Sequence, residues 1–189
     1  MNISPINNIN FGRKAVLSCI IKTKENEKKY ATLYSMNHKD PNDREDFRND
    51  KSLANMKNTF LRFSTDIDGM KFYVLKDNET DETIASAQTS RRYNPFLNSK
   101  YKGSYTSIDE MDGNTKYFDS TGPILGKIAK DAYEHYDKNV ITAFGVEDRP
   151  YFDKYRFSKT EDDTWVLPER RYKELFNKVE QRNQIIYYG

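Results

Sequence analysis

Residues 120–157 read STGPILGKIAKDAYEHYDKNVITAFGVEDRPYFDKYRF, and the fold is decided in this stretch. Ser120-Thr121-Gly122-Pro123 is a helix start, because proline suits the first helical position and small or hydroxyl residues can meet the exposed N–H groups. Ile124, Ile128, Ala132 and Tyr136 then recur every fourth residue. That spacing predicts a helix to about Asp137 with one face on a sheet. Lys138-Asn139 ends it, Val140 to Phe144 reads as a buried strand, and Asp148-Arg149-Pro150 opens a short aromatic helix through Tyr155.

Upstream, Tyr105 to Met111 is strand-like and closes on the turn signal Asp112-Gly113-Asn114, while Thr115 to Asp119 suggests no element. Met70 to Lys76 and Thr83 to Thr89 flank a polar connection of hairpin length and should pair antiparallel. Arg91 to Gly103 reads as a long loop. Leu53, Met56, Phe60 and Phe63 predict an amphipathic helix capped by Ser52, and Arg44 to Asp50 a short exposed helix or loop after Asp40-Pro41. Val16 to Lys22 and Tyr30 to Met36 form an opening β-hairpin. Downstream, Thr164 to Leu167 is a last strand, and Arg171 to Gln181 a helix with Tyr172, Leu175, Phe176 and Val179 on one face.

The fold class is therefore α+β, a central mixed and mostly antiparallel sheet flanked by helices. Residues 1–13 read as a loose arm and 14–189 as one domain, with its core at about 30–167 and a C-terminal helix at about 169–183.

Composition narrows the function classes. The 31 basic and 29 acidic residues leave a net charge of +2, so no general field draws nucleic acid, which is disfavoured as a partner, or an anionic membrane. Mean hydropathy is -0.96, yet 14 Tyr and 11 Phe supply the aromatic mass of a packed core. No stretch has the ~20 apolar residues of a membrane span, and the first residues lack a basic start ahead of an apolar run, so a cytoplasmic protein is expected. Cys19, the only cysteine, lies in an apolar run and reads as packing rather than as a nucleophile. His38 and His135 have no companions at ligand spacing, so no metal is expected. The segment Arg91 to Lys102 has the basic and aromatic mixture that can meet a nucleic acid or a phosphate, with a solvated loop as the plainer reading. Ile185 to Tyr188 is apolar enough to dock on the domain or on a second subunit, which leaves a homodimer open.

The element order from Tyr30 to Leu167 resembles the GNAT N-acetyltransferase superfamily. Thr121-Gly122-Pro123-Ile124-Leu125-Gly126-Lys127-Ile128 stands where that family has its glycine-rich pyrophosphate loop and following helix. Tyr151-Phe152-Asp153-Lys154-Tyr155-Arg156-Phe157 stands where it often reads aromatic, Tyr, acidic, Lys, any, Gly, Phe. The resemblance implies an acetyl-CoA-dependent N-acetyltransferase acting on an amine-bearing acceptor. The alternative is a catalytically silent module of the same fold with a degenerate coenzyme loop. Ser120, Thr121, Gly122, Ile124, Leu125 and Gly126 are the implied coenzyme-binding positions, since consecutive N–H groups at a helix N-terminus suit a diphosphate.

Glu110 is the candidate base, with Asp109 on the opposite strand face as second choice. The family's acid tyrosine aligns with Phe152, so Tyr151 is the candidate hydroxyl, with Tyr155 beside it. Backbone groups of Ala143-Phe144-Gly145 and of Ala85 to Ala87 are candidates to orient the coenzyme arm. Asp119 and Ile124 also depart from the family pattern, standing where it has Arg or Gln and a second glycine.

Overall fold

The computed structural model describes residues 13–62, 69–94, 103–142, 150–161 and 163–188. The opening hairpin pairs β1 (Lys14–Thr23) with β2 (Lys28–Met36), and its turn uses Asn26 at φ 67°, a left-handed conformation that asparagine tolerates. Asp40 caps α1 (Pro41–Asn49) by accepting from the N–H groups of Asn42 and Asp43. The next cap is Asp50 rather than Ser52. Its carboxylate accepts from Ser52 N–H at 2.9 Å and starts a 3-10 turn, Lys51–Leu53, that runs into α2 (Ala54–Arg62). Phe63 lies outside the described residues.

β3 (Met70–Asp77), β4 (Thr83–Asn94) and β5 (Gly103–Gly113) continue the antiparallel meander, longer at their ends than the apolar pattern indicates. Residues 117–118, which carry no strand signal, form β6 (Tyr117–Phe118) by pairing with Lys22 and Thr23. The major helix is α3 (Gly122–Glu134). It stops earlier than the spacing predicts because Tyr136 turns left-handed at φ 56°. The Tyr136 and Asp137 N–H groups then bond the carbonyls of Tyr133 and Ala132, a Schellman closure. Tyr136 is consequently 78% exposed instead of facing the sheet.

After α3 come β7 (Asn139–Thr142), α4 (Pro150–Lys154), β8 (Ser158–Lys159), β9 (Trp165–Pro168), α5 (Tyr172–Asn183) and β10 (Ile186–Tyr187). The strand order is β10-β1-β2-β3-β4-β5-β7-β9-β8, with β6 on β1 as well. The β5–β7 pair is parallel and is joined by α3, as a crossover requires. The tail Ile185 to Tyr188 thus docks on its own domain through β10, which pairs with Leu17 and Ser18.

The sheet separates two apolar clusters. On one face α3, α4 and α5 bury Leu17, Ile21, Leu75, Ile108, Ile124 and Phe152. On the other, α1 and α2 bury a smaller set in which Phe47 stacks on Phe60 with ring centroids 3.8 Å apart. Cys19 belongs to the larger cluster, and burial pushes its thiol up to about 12, as packing rather than reactivity demands.

Candidate functional site

The start of α3 is organised around an acid. Asp119 takes φ 59°, and its carbonyl accepts from Gly122 N–H at 3.0 Å. Its carboxylate side chain is 2% exposed and receives Lys154 Nζ at 2.6 Å, Arg182 Nη1 at 2.9 Å and the hydroxyl of Tyr155. A Cβ on Gly122 would come 2.9 Å from Asp119 Oδ2 and closer still to the Tyr155 hydroxyl. Glycine is therefore required here by the chain's own acid and phenol. Burial and the Asp119 charge together hold the Tyr155 phenol well above its ordinary range.

This turn uses some of its own N–H groups. Gly122 donates to Asp119 and Leu125 to Thr121, while Pro123 has no N–H to give. Among the described residues the N–H groups of Ser120, Thr121 and Ile124 have no acceptor, and the positive end of the helix is already balanced by Asp119. Thr121, Ile124 and Leu125 are 1%, 0% and 1% exposed, backbone included, and Gly122 is buried too, so a ligand meets this turn only when Asp119 gives way. Ser120 packs beside Gly113, and Gly126 faces α5, where an added Cβ would lie 3.1 Å from Val179 Cγ1.

Glu110 and Asp109 lie at an irregularity in β5. Gln88 pairs with Glu110 and Thr89 with Ile108, so Asp109 is an extra residue, a β-bulge. The bulge cancels one alternation. Asp109 accepts from Ser107 Oγ at 2.7 Å and from Arg92 Nη2 at 2.8 Å, sharing the face of Gln88 and Glu110 instead of the opposite one. That face is unusually polar for a covered sheet: Ser86, Gln88, Ser90 and Ser107 are all buried, and the Gln88 Oε1 has no hydrogen-bond partner. Glu110 itself is exposed.

The aromatic helix belongs to the other face. Phe152 is 0% exposed, with Tyr151 at 4.7 Å and Trp165 nearly parallel at 6.0 Å between centroids. Tyr151 packs on the larger cluster, so the structure does not bring it onto the face that carries Glu110. Ala85 and Ala87 pair with β3 on one side and β5 on the other. Their backbone groups are committed to the sheet, which corrects the expectation that they orient a coenzyme arm. Ala143-Phe144-Gly145 lies outside the described residues.

The two arginines of the basic stretch are spent inside the domain. Arg91 bonds the fully buried Asp137 at 3.0 Å, and Arg92 bonds Asp109. Residues 95–102 lie outside the described residues. Arg91 also borders a cavity of about 150 Å³ at the far end of α3, where Lys71 is matched to Asp131 at 2.9 Å. Among the described residues no three His, Cys, Asp or Glu gather as a metal site, and no helix is long and apolar enough to cross a membrane.

An antiparallel meander, a helical crossover into one parallel strand and then a further antiparallel strand make a distinctive order. A point mutant of KacT superposes with a TM-score of 0.52 at 12% identity, over 77% of this chain and 99% of that one. AtaTR bound with AcCoA does so with a TM-score of 0.51 at 12% identity, over 77% and 98%. The chain has the GNAT acetyltransferase fold. At this identity the likeness is one of fold. No known family model matches the sequence. No curated protein matches it either. Within the GNAT fold, the bulge at Asp109, the start of α3 and the short helix α4 had sequence signals of unequal strength. The α3 start was visible as Gly-Pro. The acid–phenol pair was not, because Asp119, Tyr155 and Arg182 meet only through tertiary packing.

Proposed function

We propose that the chain transfers an acyl group from acetyl-CoA to an amine. The observation that carries this reading is one irregularity in the GNAT fold. The parallel pairing of β5 with β7 reaches Ile108 and Thr142, and the next residue of β5, Asp109, is the bulge. A bulge bends its strand, so this one supports a gap beside the start of α3 in which an extended thioester arm can lie.

The residues around Asp119 suit a diphosphate. Lys154 and Arg182 already hold an anion there, one supplied by the chain itself. Binding would exchange the carboxylate for a phosphate oxygen, with Ser120, Thr121 and Gly122 forming the approach once Asp119 gives way. Leu125 and Gly126 support this turn from inside, through the core and α5.

Acetyl-CoA, when bound, supplies the acyl thioester. The amine nitrogen forms its bond to the carbonyl carbon as the carbon–sulfur bond breaks, and the sulfur leaves with the electron pair. Glu110, on an exposed position of β5, takes the ammonium proton directly or through water. A thiolate whose acid has a pKa of ~8.5 leaves tolerably near neutral pH. Phe152 has no proton to give, Tyr155 holds its own tightly on Asp119, and the Tyr151 hydroxyl is buried on the other face, so the thiolate leaves without help from these three residues.

Acetyl transfer to a panel of peptide, polyamine and small-molecule amines tests the reading. Glu110→Gln should lower kcat/KM by about 100-fold, a typical general-base contribution, with an unchanged thermal midpoint. Absence of calorimetric acetyl-CoA binding at millimolar concentration rejects the reading.

A further inference from the structure

The outer edge of β1 is covered at both ends and open between them. β10 pairs with it at Leu17 and Ser18, and β6 at Lys22 and Thr23. Beside this gap a cavity of about 350 Å³ is lined by Ile20, Lys22, Lys28, Phe118, Arg182 and Asn183.

Its wall is built against the interests of stability. Lys22 stands directly opposite Lys28 on one side and Phe118 on the other, so the three side chains form one row across β2, β1 and β6. Like charges placed directly across a sheet repel. Neither lysine has an ion-pair partner among the described residues, whereas the adjacent Lys29 pairs with Glu79 at 2.9 Å. Phe118 is 50% exposed at the end of this row. Deeper in, Asn183 is 4% exposed. Its Nδ2 donates to the Ile20 carbonyl at 3.1 Å, and its Oδ1 is buried without a partner.

Two cations without ion-pair partners among the described residues and an exposed aromatic ring around one cavity describe a ligand in parts. The geometry points to a site for a phosphorylated nucleoside, with phosphate between Lys22 and Lys28 and the base on Phe118. The ligand has two sources, a free nucleotide or the nucleotide end of coenzyme A. Asp119 also borders the cavity, which joins it to the start of α3. The coenzyme source alone rests on the acyl-transfer reading.

Calorimetry of adenosine 3′,5′-bisphosphate with the full chain tests the site. Saturable binding is expected, weaker at higher salt, and reduced by at least about tenfold when Lys22→Ala and Lys28→Ala are combined, the loss of two charge-assisted contacts. Both lysines are exposed, so the variant should keep its fold and gain slightly in thermal midpoint. Phe118→Ala should also weaken binding, and adenosine without phosphate should bind far less. If acetyl-CoA displaces the bisphosphate, the occupant is the coenzyme's nucleotide end. If both bind together, or only the bisphosphate binds, the site takes a free nucleotide; the last result also removes the acyl-transfer reading. Absence of saturable bisphosphate binding at millimolar concentration, or binding indifferent to both lysines, overturns the site.

Discussion

Replacing Asp119 by asparagine should make the protein less stable and its grip on acetyl-CoA tighter. The acid lies in the core of the candidate diphosphate site, 2.6 Å from Lys154 Nζ and 2.9 Å from Arg182 Nη1. A phosphate oxygen arriving about 5 Å from the carboxylate would meet a repulsion of about 3 kcal/mol per unit charge at an effective dielectric of ~20. The Asp119→Asn change removes that term and releases both cations to the ligand, while the amide oxygen still offers Tyr155 an acceptor. Some of the gain is lost in reorganising the turn, so an improvement of about 30-fold in Kd, near 2 kcal/mol, is expected. Folding should weaken by about 1 kcal/mol, because Lys154 and Arg182 are partly exposed and water takes over their solvation. For a chain of this size that is a fall of about 2–4 °C in Tm. Calorimetry at fixed ionic strength and a thermal melt measure the two effects on one sample. A folded variant that binds acetyl-CoA no better than the parent refutes the view of Asp119 as an internal substitute for the diphosphate.

Other perturbations follow from the same geometry. Asp43 is fully buried with one oxygen on the Asn37 N–H at 2.6 Å and the other unpartnered, and burial pushes its carboxyl up to about 6. Because the folded state holds that proton more tightly than the unfolded chain, stability should fall as pH rises from about 4 to 6, by about 3 kcal/mol in total. Asp43→Asn should flatten that dependence and raise Tm at pH 7.5; a steeper acid-side loss in melts across this window would contradict it. Gly122→Ala should cost about 1–3 kcal/mol by pressing a methyl on the Asp119–Tyr155 pair, visible as a lower urea midpoint. Arg91→Ala leaves the buried Asp137 with Thr106, at 2.8 Å, as its one side-chain partner among the described residues. That should cost about 3 kcal/mol in urea unfolding, with Arg91→Lys restoring part of it.

The layered fold was legible because it rests on local signals. The strand-like runs Met70 to Lys76 and Thr83 to Thr89 on either side of a polar connection, and the four-residue spacing after Gly122, are local patterns that the sheet and α3 then realise. What failed were places where one residue changes the count. The bulge at Asp109 moves two acids to one face without any mark in the sequence, since an extra residue in a strand looks like any other. Tyr136 fitted the apolar stripe of α3 but became its left-handed terminator, because Asp137 was needed in the interior by Arg91 and Thr106. Residues 117–118 gained strand character only from a partner about ninety-five positions earlier. Likewise Lys22 and Lys28 are unremarkable hairpin residues until register sets them opposite one another and Phe118 beside them.

The seating of β10 on β1 has a consequence for synthesis on the ribosome. Leu17 and Ser18 pair with residues 186–187, so the outer side of the first hairpin keeps open backbone donors and acceptors while some 170 residues are added. At ordinary elongation rates that interval lasts about ten seconds or more, long enough for the bare edge to pair with a neighbouring nascent chain. Lys14 and Lys22 flank that edge and Lys28 faces it from β2. The same charges that destabilise the mature wall would thus act during translation as guards against strand-to-strand association.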